Sequence, residues 1–303
     1  MSDTSARPGG VCFRRRRTGE IVSERFHHEY MLRQSYETES GFRAFELVFN
    51  NRFFCWLIAR WLNHPVSRRE IRPFIERKLV DVAELAQPPE TYRNFNAFFT
   101  RRLKPGARPV SQDPEAVCAP VDGKAFVFPR LEEGTRVPVK GCEIGVASLL
   151  ASEVLAQRYD GGSAAVLRLA FYDYHRFHFP VDGEAGPARG IPGRYYHVNP
   201  VATARVPDAL CRNKRAVTEL ASAGFGTVTC VEVGAFINGG IVQTYTPGPA
   251  VRGQEKGFFQ VGGSTVVLLF EPGRVVFDDD LVRDSEAGLE VHVEAGSRIG
   301  RRG

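Results

Sequence analysis

Beyond Val121 the chain changes texture into short β-rich runs, each closed off within a few residues by Gly, Pro or Asp-Gly. Runs at 164–171, 227–236, 240–245, 264–270, 274–277 and 289–293 read as strands, rich in β-branched and aromatic residues and separated by turn chemistry. They predict a mostly antiparallel β domain over 104–303. Pro-Val-Asp-Gly occurs twice, at 120–123 and 180–183. Asp-Gly is first of all hairpin chemistry, and Asp182 is read as a turn residue. No repeat of solenoid length is present.

The N-terminal part has a different period. Phe42, Phe45, Phe49, Phe53, Trp56, Ile58 and Trp61 recur mostly at spacings of three and four, which predicts a helix over 42–62. Arg52, Arg60, Arg68 and Arg69 flank it. Aromatic bulk with arginine rims suits an interfacial helix that dips into lipid headgroups, and it suits equally a helix packed on its own core. Short helices continue to 103, punctuated by Pro73 and Pro88-Pro89, and Pro105, Pro109, Pro114 and Pro120 mark an extended connector. Residues 1–30 are polar, basic and poorly patterned, which predicts a loose arm. The expected fold class is therefore α+β: an arm over 1–30, a helical region over 31–103 and a β-rich domain over 104–303.

At 303 residues, 43% apolar and 25% charged, the chain is an ordinary folded protein, which excludes disorder throughout. Its net charge of +5 comes largely from arginine and suits an anionic partner, lipid surface or nucleic acid; scattered solvated arginines account for it as well. No nucleic-acid motif accompanies the surplus. The six cysteines form no Cys-x-x-Cys pair and follow no signal peptide, so they are read as reduced and cytoplasmic. The longest apolar run, 53–59, stops at Arg60, far short of the ~20 residues that cross a bilayer.

Two segments carry candidate chemistry. Gly262-Gly263-Ser264-Thr265 runs straight into Val266-Val267-Leu268-Leu269-Phe270. It is no hydrolase elbow, because the residues after the serine commit to a strand instead of a helix. It does place a hydroxyl beside a glycine carbonyl with no side chain to hinder distortion, as an internal acyl shift needs. The second segment is Asp173-Tyr174-His175-Arg176-Phe177-His178. A serine hydroxyl needs a base, and a histidine oriented by a buried carboxylate can take its proton and pass it to the departing nitrogen. His175 and His178 would face opposite ways on a regular strand; a bulge or turn would bring both to one pocket. As a metal pair they lack third and fourth ligands with recognisable zinc spacing, so no metal site is expected. His27, His28, His64, His197 and His292 are scattered and read as structural or exposed, and Gly234, Gly239 and Gly240 as close-approach positions or strand-end bulges.

Together with Pro120-Val121-Asp122-Gly123, these segments resemble the phosphatidylserine decarboxylase family. The resemblance extends through Phe95-Asn96-x-Phe98-Phe99-Thr100-Arg101-x-Leu103-Lys104-Pro105-Gly106-x-Arg108-Pro109, Val198-Asn199-Pro200, Val231-Glu232-Val233-Gly234-Ala235 and Gly253-x-Glu255-Lys256-Gly257, from about residue 60 to the C-terminus. It implies self-cleavage between Gly263 and Ser264, with fragment 1–263 remaining bound to fragment 264–303. It implies that Ser264 becomes a pyruvoyl group, a cofactor made by the chain itself in place of pyridoxal phosphate, which forms a Schiff base with phosphatidylserine and accepts the electrons released with carbon dioxide. By the same resemblance Asp122 and His178 serve the cleavage, and His175 protonates the carbanion that decarboxylation leaves. Arg176 and Asn199 are candidates for substrate binding.

The lipid substrate favours the membrane reading of 42–62 and places the protein on the cytoplasmic face of the cell membrane, against an anionic surface; a homo-oligomer is left open. The rival readings are a pyruvoyl-dependent decarboxylase of another headgroup or amino-acid derivative, and an uncleaved relative that only binds lipid. The double glycine before Ser264 lies within the family's range, whereas Lys140-Gly141-Cys142-Glu143-Ile144-Gly145-Val146 lacks an aromatic-serine pair that many relatives carry, which bears on substrate detail.

Overall fold

The run Val266-Val267-Leu268-Leu269-Phe270 is apolar at every position because both faces of its strand are buried. In the computed structural model, which describes residues 12–24, 29–78, 80–131, 136–139, 142–237 and 240–303, this strand is Gly262–Phe270, in the middle of an 11-stranded sheet. From one edge the strands run Gly248–Ala250, Gly183–Ala185, Arg215–Ser222, Gly226–Ile237, Gly262–Phe270, Ser163–Leu169, Gly123–Phe128, Glu290–Val293, Cys12–Arg15 and Ile21–Ser23, with Arg189–Ile191 also on Arg215–Ser222. Within this sheet only the pairing of Cys12–Arg15 with Glu290–Val293 is parallel.

Alternation sends Val266, Leu268 and Phe270 into one core with Leu167, Leu169, Phe177 and Phe259. Val267 and Leu269 go to the opposite core with Val166, Val231, Val233 and Leu149. The first face is covered by a three-stranded sheet of Ile241–Gln243, Glu255–Phe259 and Arg176–His178. A strand buried on both sides loses the polar alternation of a half-exposed one, which is why the sequence reads as an unbroken apolar run.

Helices both cover the sheet, as Val146–Leu150 does on the Val267 face, and gather the N-terminal part of the chain. Glu29–Glu37, Glu39–Ala44, Arg52–Leu62 and Ile71–Lys78 surround a cavity, and Phe95–Phe99 packs Phe95, Phe98 and Phe99 into the core beneath them. The helix expected over 42–62 is interrupted. A π-helical turn, Phe45–Phe49, ends at two asparagines that prefer side-chain bonding to helix continuation. Asn50 accepts from the Tyr195 N–H and donates to Glu46, while Asn51 caps the next helix by accepting from Phe53. Leu47 and Phe53 are 76% and 67% exposed, and Trp56 joins them on the outside.

The described part of the expected arm, 12–24, is not loose. Cys12–Arg15 and Ile21–Ser23 form a hairpin that extends the main sheet, with Phe13 buried. Its arginines have partners that composition does not show: Arg14 pairs with Asp284, and Arg16 with Asp278 and Asp280. His27 and His28 lie outside the described residues, as do Asn238, Gly239 and residues 1–11.

The two Pro-Val-Asp-Gly segments do not close simple hairpins but cross one another. Pro120 O accepts the His178 N–H at 2.8 Å, and Pro180 O accepts the Cys118 N–H at 2.9 Å. Gly296 and Gly253, at φ 81° and 79°, donate to Ala119 O and Phe179 O respectively. Asp122 accepts from Ala295 N at 2.8 Å and Asp182 from Arg252 N at 2.7 Å. Gly123 and Gly183 each open a strand, paired with Glu290–Val293 and Gly248–Ala250. The matching bonds relate the two segments by an approximate two-fold.

Candidate active site

Ser264 faces Gly234 on one neighbouring strand and Leu169 on the other. On the first side the register slips between Gly234 and Ile237, which span the same stretch as Ser264 and Gly262. The extra residue makes a β-bulge, so the Gly263–Ser264 bond lies where the ladder is irregular. Gly262 approaches the bulge closely: a Cβ there would sit 3.0 Å from Ala235 O. Ser264 is 1% exposed and its Oγ has no hydrogen-bond partner. Alternation along the strand puts it on the face of Val266, Leu268 and Phe270, beneath the small sheet that contains Arg176–His178.

Both histidines belong to that covering layer. His175 Nδ1 lies 2.8 Å from Asp173 O, and His178 Nδ1 lies 3.0 Å from Gly253 O. A carbonyl only accepts, so each Nδ1 carries the hydrogen and each Nε2 keeps a lone pair, without a partner in either ring. Burial, with the Arg101 charge adding to it, pulls His175 down to about 3. Burial also lowers His178, against the opposing charges of Glu255 and Asp122. Both rings are neutral bases near pH 7.

His175 lies just ahead of the strand, after a tight turn in which Asp173 N donates to Ala170 O and Ala170 N to the Asp173 carboxylate at 2.6 Å. Asp173 is in turn held by Lys124 at 2.8 Å. Burial alone would push its carboxyl up, but Lys124 and His292 reverse this and hold it far below the usual carboxylate range.

Asp122 departs from the expected arrangement. The His178 N–H donates to Pro120 O, which brings the two segments side by side, yet a backbone carbonyl, not Asp122, orients the ring. The Asp122 lone pairs are taken by Arg108 Nε and Nη2 and by Ala295 N, leaving Asp122 as a fixed charge beside the histidine.

Arg176 is fully committed: Nη1 donates to Glu255 at 2.8 Å, and Nη2 and Nε to the backbone oxygen of Thr100. Asn199 caps the helix Pro200–Arg205 through Ala202 N and lines the cavity. That cavity, about 670 Å³ and mostly apolar, reaches Leu169, Phe236, Ile237 and Val261, the strand and loop residues next to Ser264. Arg168, tied to Glu24 and Glu290 at 2.7 Å each, forms a charged part of its wall.

Sequence reasoning gave no role to Arg101, Arg108, Lys124 or Gly253. Arg101 and Arg108 stand inside a quoted motif, but nothing in their spacing says what they touch. Among the described residues no group of three or more His, Cys, Asp or Glu is placed to hold a metal, and no helix is long and apolar enough to cross a membrane.

A buried serine with an unpartnered hydroxyl lies at a strand bulge, on the sheet face covered by the layer that carries two neutral histidines, and next to residues that line an apolar cavity. The family model described as phosphatidylserine decarboxylase matches residues 95–301, and the chain belongs to that family. Similar proteins are phosphatidylserine decarboxylase proenzymes from Chlamydia muridarum, 41% identical over 95% of this chain and 96% of the relative, and from Ruminiclostridium cellulolyticum, 37% identical over 94% and 95%. A third, from Chlamydia felis, is 42% identical over 83% of each.

Proposed function

We propose that this chain cuts itself between Gly263 and Ser264 and then decarboxylates phosphatidylserine to phosphatidylethanolamine. The observation that carries the reading is the buried, unpartnered Ser264 Oγ at the bulge, on the sheet face covered by the strand of His178.

His178 Nε2 takes the Ser264 hydroxyl proton, and Oγ attacks the Gly263 carbonyl carbon. The Ser264 nitrogen leaves with that proton, converting the amide to an ester. Asp122, fixed by Arg108, stabilises the imidazolium that exists between these two transfers. Loss of the Ser264 α-proton then expels the Gly263 carboxylate from Cβ and breaks the chain. The dehydroalanine that remains takes up water and releases ammonia. The irregular ladder suits these steps, because the carbonyl can leave its plane without breaking a regular pairing.

A pyruvoyl group at residue 264 supplies a ketone that draws electrons from an amine-bearing substrate. The buried position, the absence of a competing partner for Oγ and the adjoining cavity fit such a group. His175 Nε2 carries only a lone pair at rest, so it first takes a proton from the substrate's ammonium group and, reluctant to hold it, returns it to carbon after loss of carbon dioxide. The cavity beside Leu169 and Val261 takes part of an acyl chain.

Residues 31–103 form the membrane-associating region on this reading, with Leu47, Phe53 and Trp56 directed to an anionic lipid surface at the cytoplasmic face, and 104–303 the catalytic region. The 264–303 fragment stays with the rest, since its first strand lies between Gly226–Ile237 and Ser163–Leu169.

The test is the mass of the denatured protein. Two fragments, the smaller beginning at residue 264 and lighter by one ammonia than a serine-started peptide, are expected. A single uncut chain that binds lipid without releasing carbon dioxide would overturn the reading.

A further inference from the structure

Arg101 is 4% exposed, and only one of its guanidinium nitrogens is used. Nη2 donates to Tyr172 O at 2.8 Å and Asp173 O at 3.0 Å, whereas Nε and Nη1 are buried with no acceptor. The guanidinium rests over the Phe98 ring at 5.3 Å. A guanidinium cannot shed its charge, and burying one with donors unfilled is costly.

The structure also holds Arg101 in place. Arg176 clasps the backbone oxygens of Thr100 and Arg101, and Glu255 anchors Arg176. The position is specific as well. Arg101 and His175 donate to the same oxygen, that of Asp173, and Tyr172, whose oxygen Arg101 also binds, lines the apolar cavity. Arg101 therefore stands between the cavity and the proposed proton donor. Ser264 Oγ and both histidine Nε2 atoms are equally covered, so whatever motion admits a substrate to them opens this corner too.

We propose that Arg101 is the seat of an alkyl phosphodiester, the group that joins a lipid's glycerol to its headgroup. The inference rests on the reading of the chain as a phosphatidylserine decarboxylase, whose substrate carries two anions. The carboxylate is the less suitable partner. It must leave as neutral carbon dioxide, and a salt bridge to it would favour the ground state over the transition state. The phosphodiester keeps its charge from substrate to product, and a charge-assisted donor matches it throughout.

The test uses full-length protein that has matured and decarboxylates phosphatidylserine; if the wild type does neither, the underlying reading fails, not this inference alone. In wild type, glycerophosphoethanolamine should inhibit at least about tenfold more tightly than ethanolamine, which lacks the phosphodiester. Arg101→Gln should raise KM and weaken glycerophosphoethanolamine inhibition by about tenfold or more each, with kcat changed little, the signature of lost uniform binding. Arg101→Lys, which keeps a charge and a donor for the turn carbonyls, should lie between. Equal inhibition by the two compounds in wild type overturns the proposal whatever the variants do. So does a matured Arg101→Lys whose KM rises while its affinity for glycerophosphoethanolamine is unchanged, since that assigns Arg101 to the carboxylate.

Discussion

Arg108 grips Asp122 edge-on, with Nε 2.9 Å from both carboxylate oxygens and Nη2 2.7 Å from Oδ2. The pair holds the one fixed negative charge that lies within two residues of the backbone bond joining Pro120 to His178. Removing the cation leaves a buried carboxylate with the Ala295 N–H as its remaining bond, which costs about 3–5 kcal/mol by the precedent of broken buried pairs. Arg108→Met should lower stability in urea by that order and slow self-cleavage, and Arg108→Lys should restore part of both. Unchanged stability and cleavage in Arg108→Met would mean the pair is ornamental.

The two histidines should separate by task. His178→Ala should slow cleavage about 10²–10⁴-fold, the usual worth of a positioned base. His175→Ala should mature at the wild-type rate yet release no carbon dioxide. A gel time course and a carbon dioxide assay on both variants decide the matter; like behaviour in the two would end the division.

Acid should destabilise the fold through buried histidines before carboxylates titrate. Burial pulls His175 to about 3 and His197 to about 4 from an ordinary 6.5. The Tyr36 hydroxyl lies 3.1 Å from His197 Nδ1. Below pH 6.5 the unfolded chain takes up protons that the folded chain refuses, so stability is full above that value and falls as pH drops toward 3. Each ring alone costs roughly 3 kcal/mol by pH 4. Urea unfolding at pH 7, 5.5 and 4 should show this decline, and His197→Phe should flatten part of it. A flat profile down to pH 4.5 would contradict the buried neutral rings. Self-cleavage, which needs neutral His178, should be level between pH 6 and 8 and fail only on further acidification, because that ring too is lowered by burial.

The outward aromatic residues should govern lipid contact without touching maturation. Phe53 and Trp56 stack at 5.9 Å on the surface of Arg52–Leu62, with Arg60 over the indole at 5.8 Å. Replacing both by Ser removes roughly 2–3 kcal/mol per side chain of potential apolar burial. Binding to anionic vesicles and turnover of vesicle substrate should fall at least about tenfold, while the extent of cleavage in solution stays the same. Sedimentation with vesicles measures the first effect.

The strands were legible because their signals are local. The runs at 164–171, 227–236 and 264–270 became Ser163–Leu169, Gly226–Ile237 and Gly262–Phe270 nearly residue for residue. The break at Asn50–Asn51 was harder to read, since the apolar period passes straight through it and only the asparagine side chains interrupt it. The hairpin over 12–24 was illegible because Arg14 and Arg16 look solvated until their partners, more than 260 residues away, are folded beside them. The same distance hid the site's supports. His175, His178 and Ser264 announce themselves as residue types, whereas the carbonyls of Asp173 and Gly253 that fix the histidine tautomers have no signature in sequence.

The strand that starts beside Ser264 lies inside the sheet, and Glu290–Val293, from the same C-terminal fragment, lies third from the edge between Gly123–Phe128 and Cys12–Arg15. A cut at residue 264 therefore turns one chain into two interleaved ones without altering their fold. Before the cut, an unfolded molecule holds all the information needed to return. Afterwards its halves diffuse apart, and recovery becomes a bimolecular search between a long fragment and a short one. Maturation makes the first global unfolding event the last, so the working life of each molecule is governed by the rate at which the sheet opens.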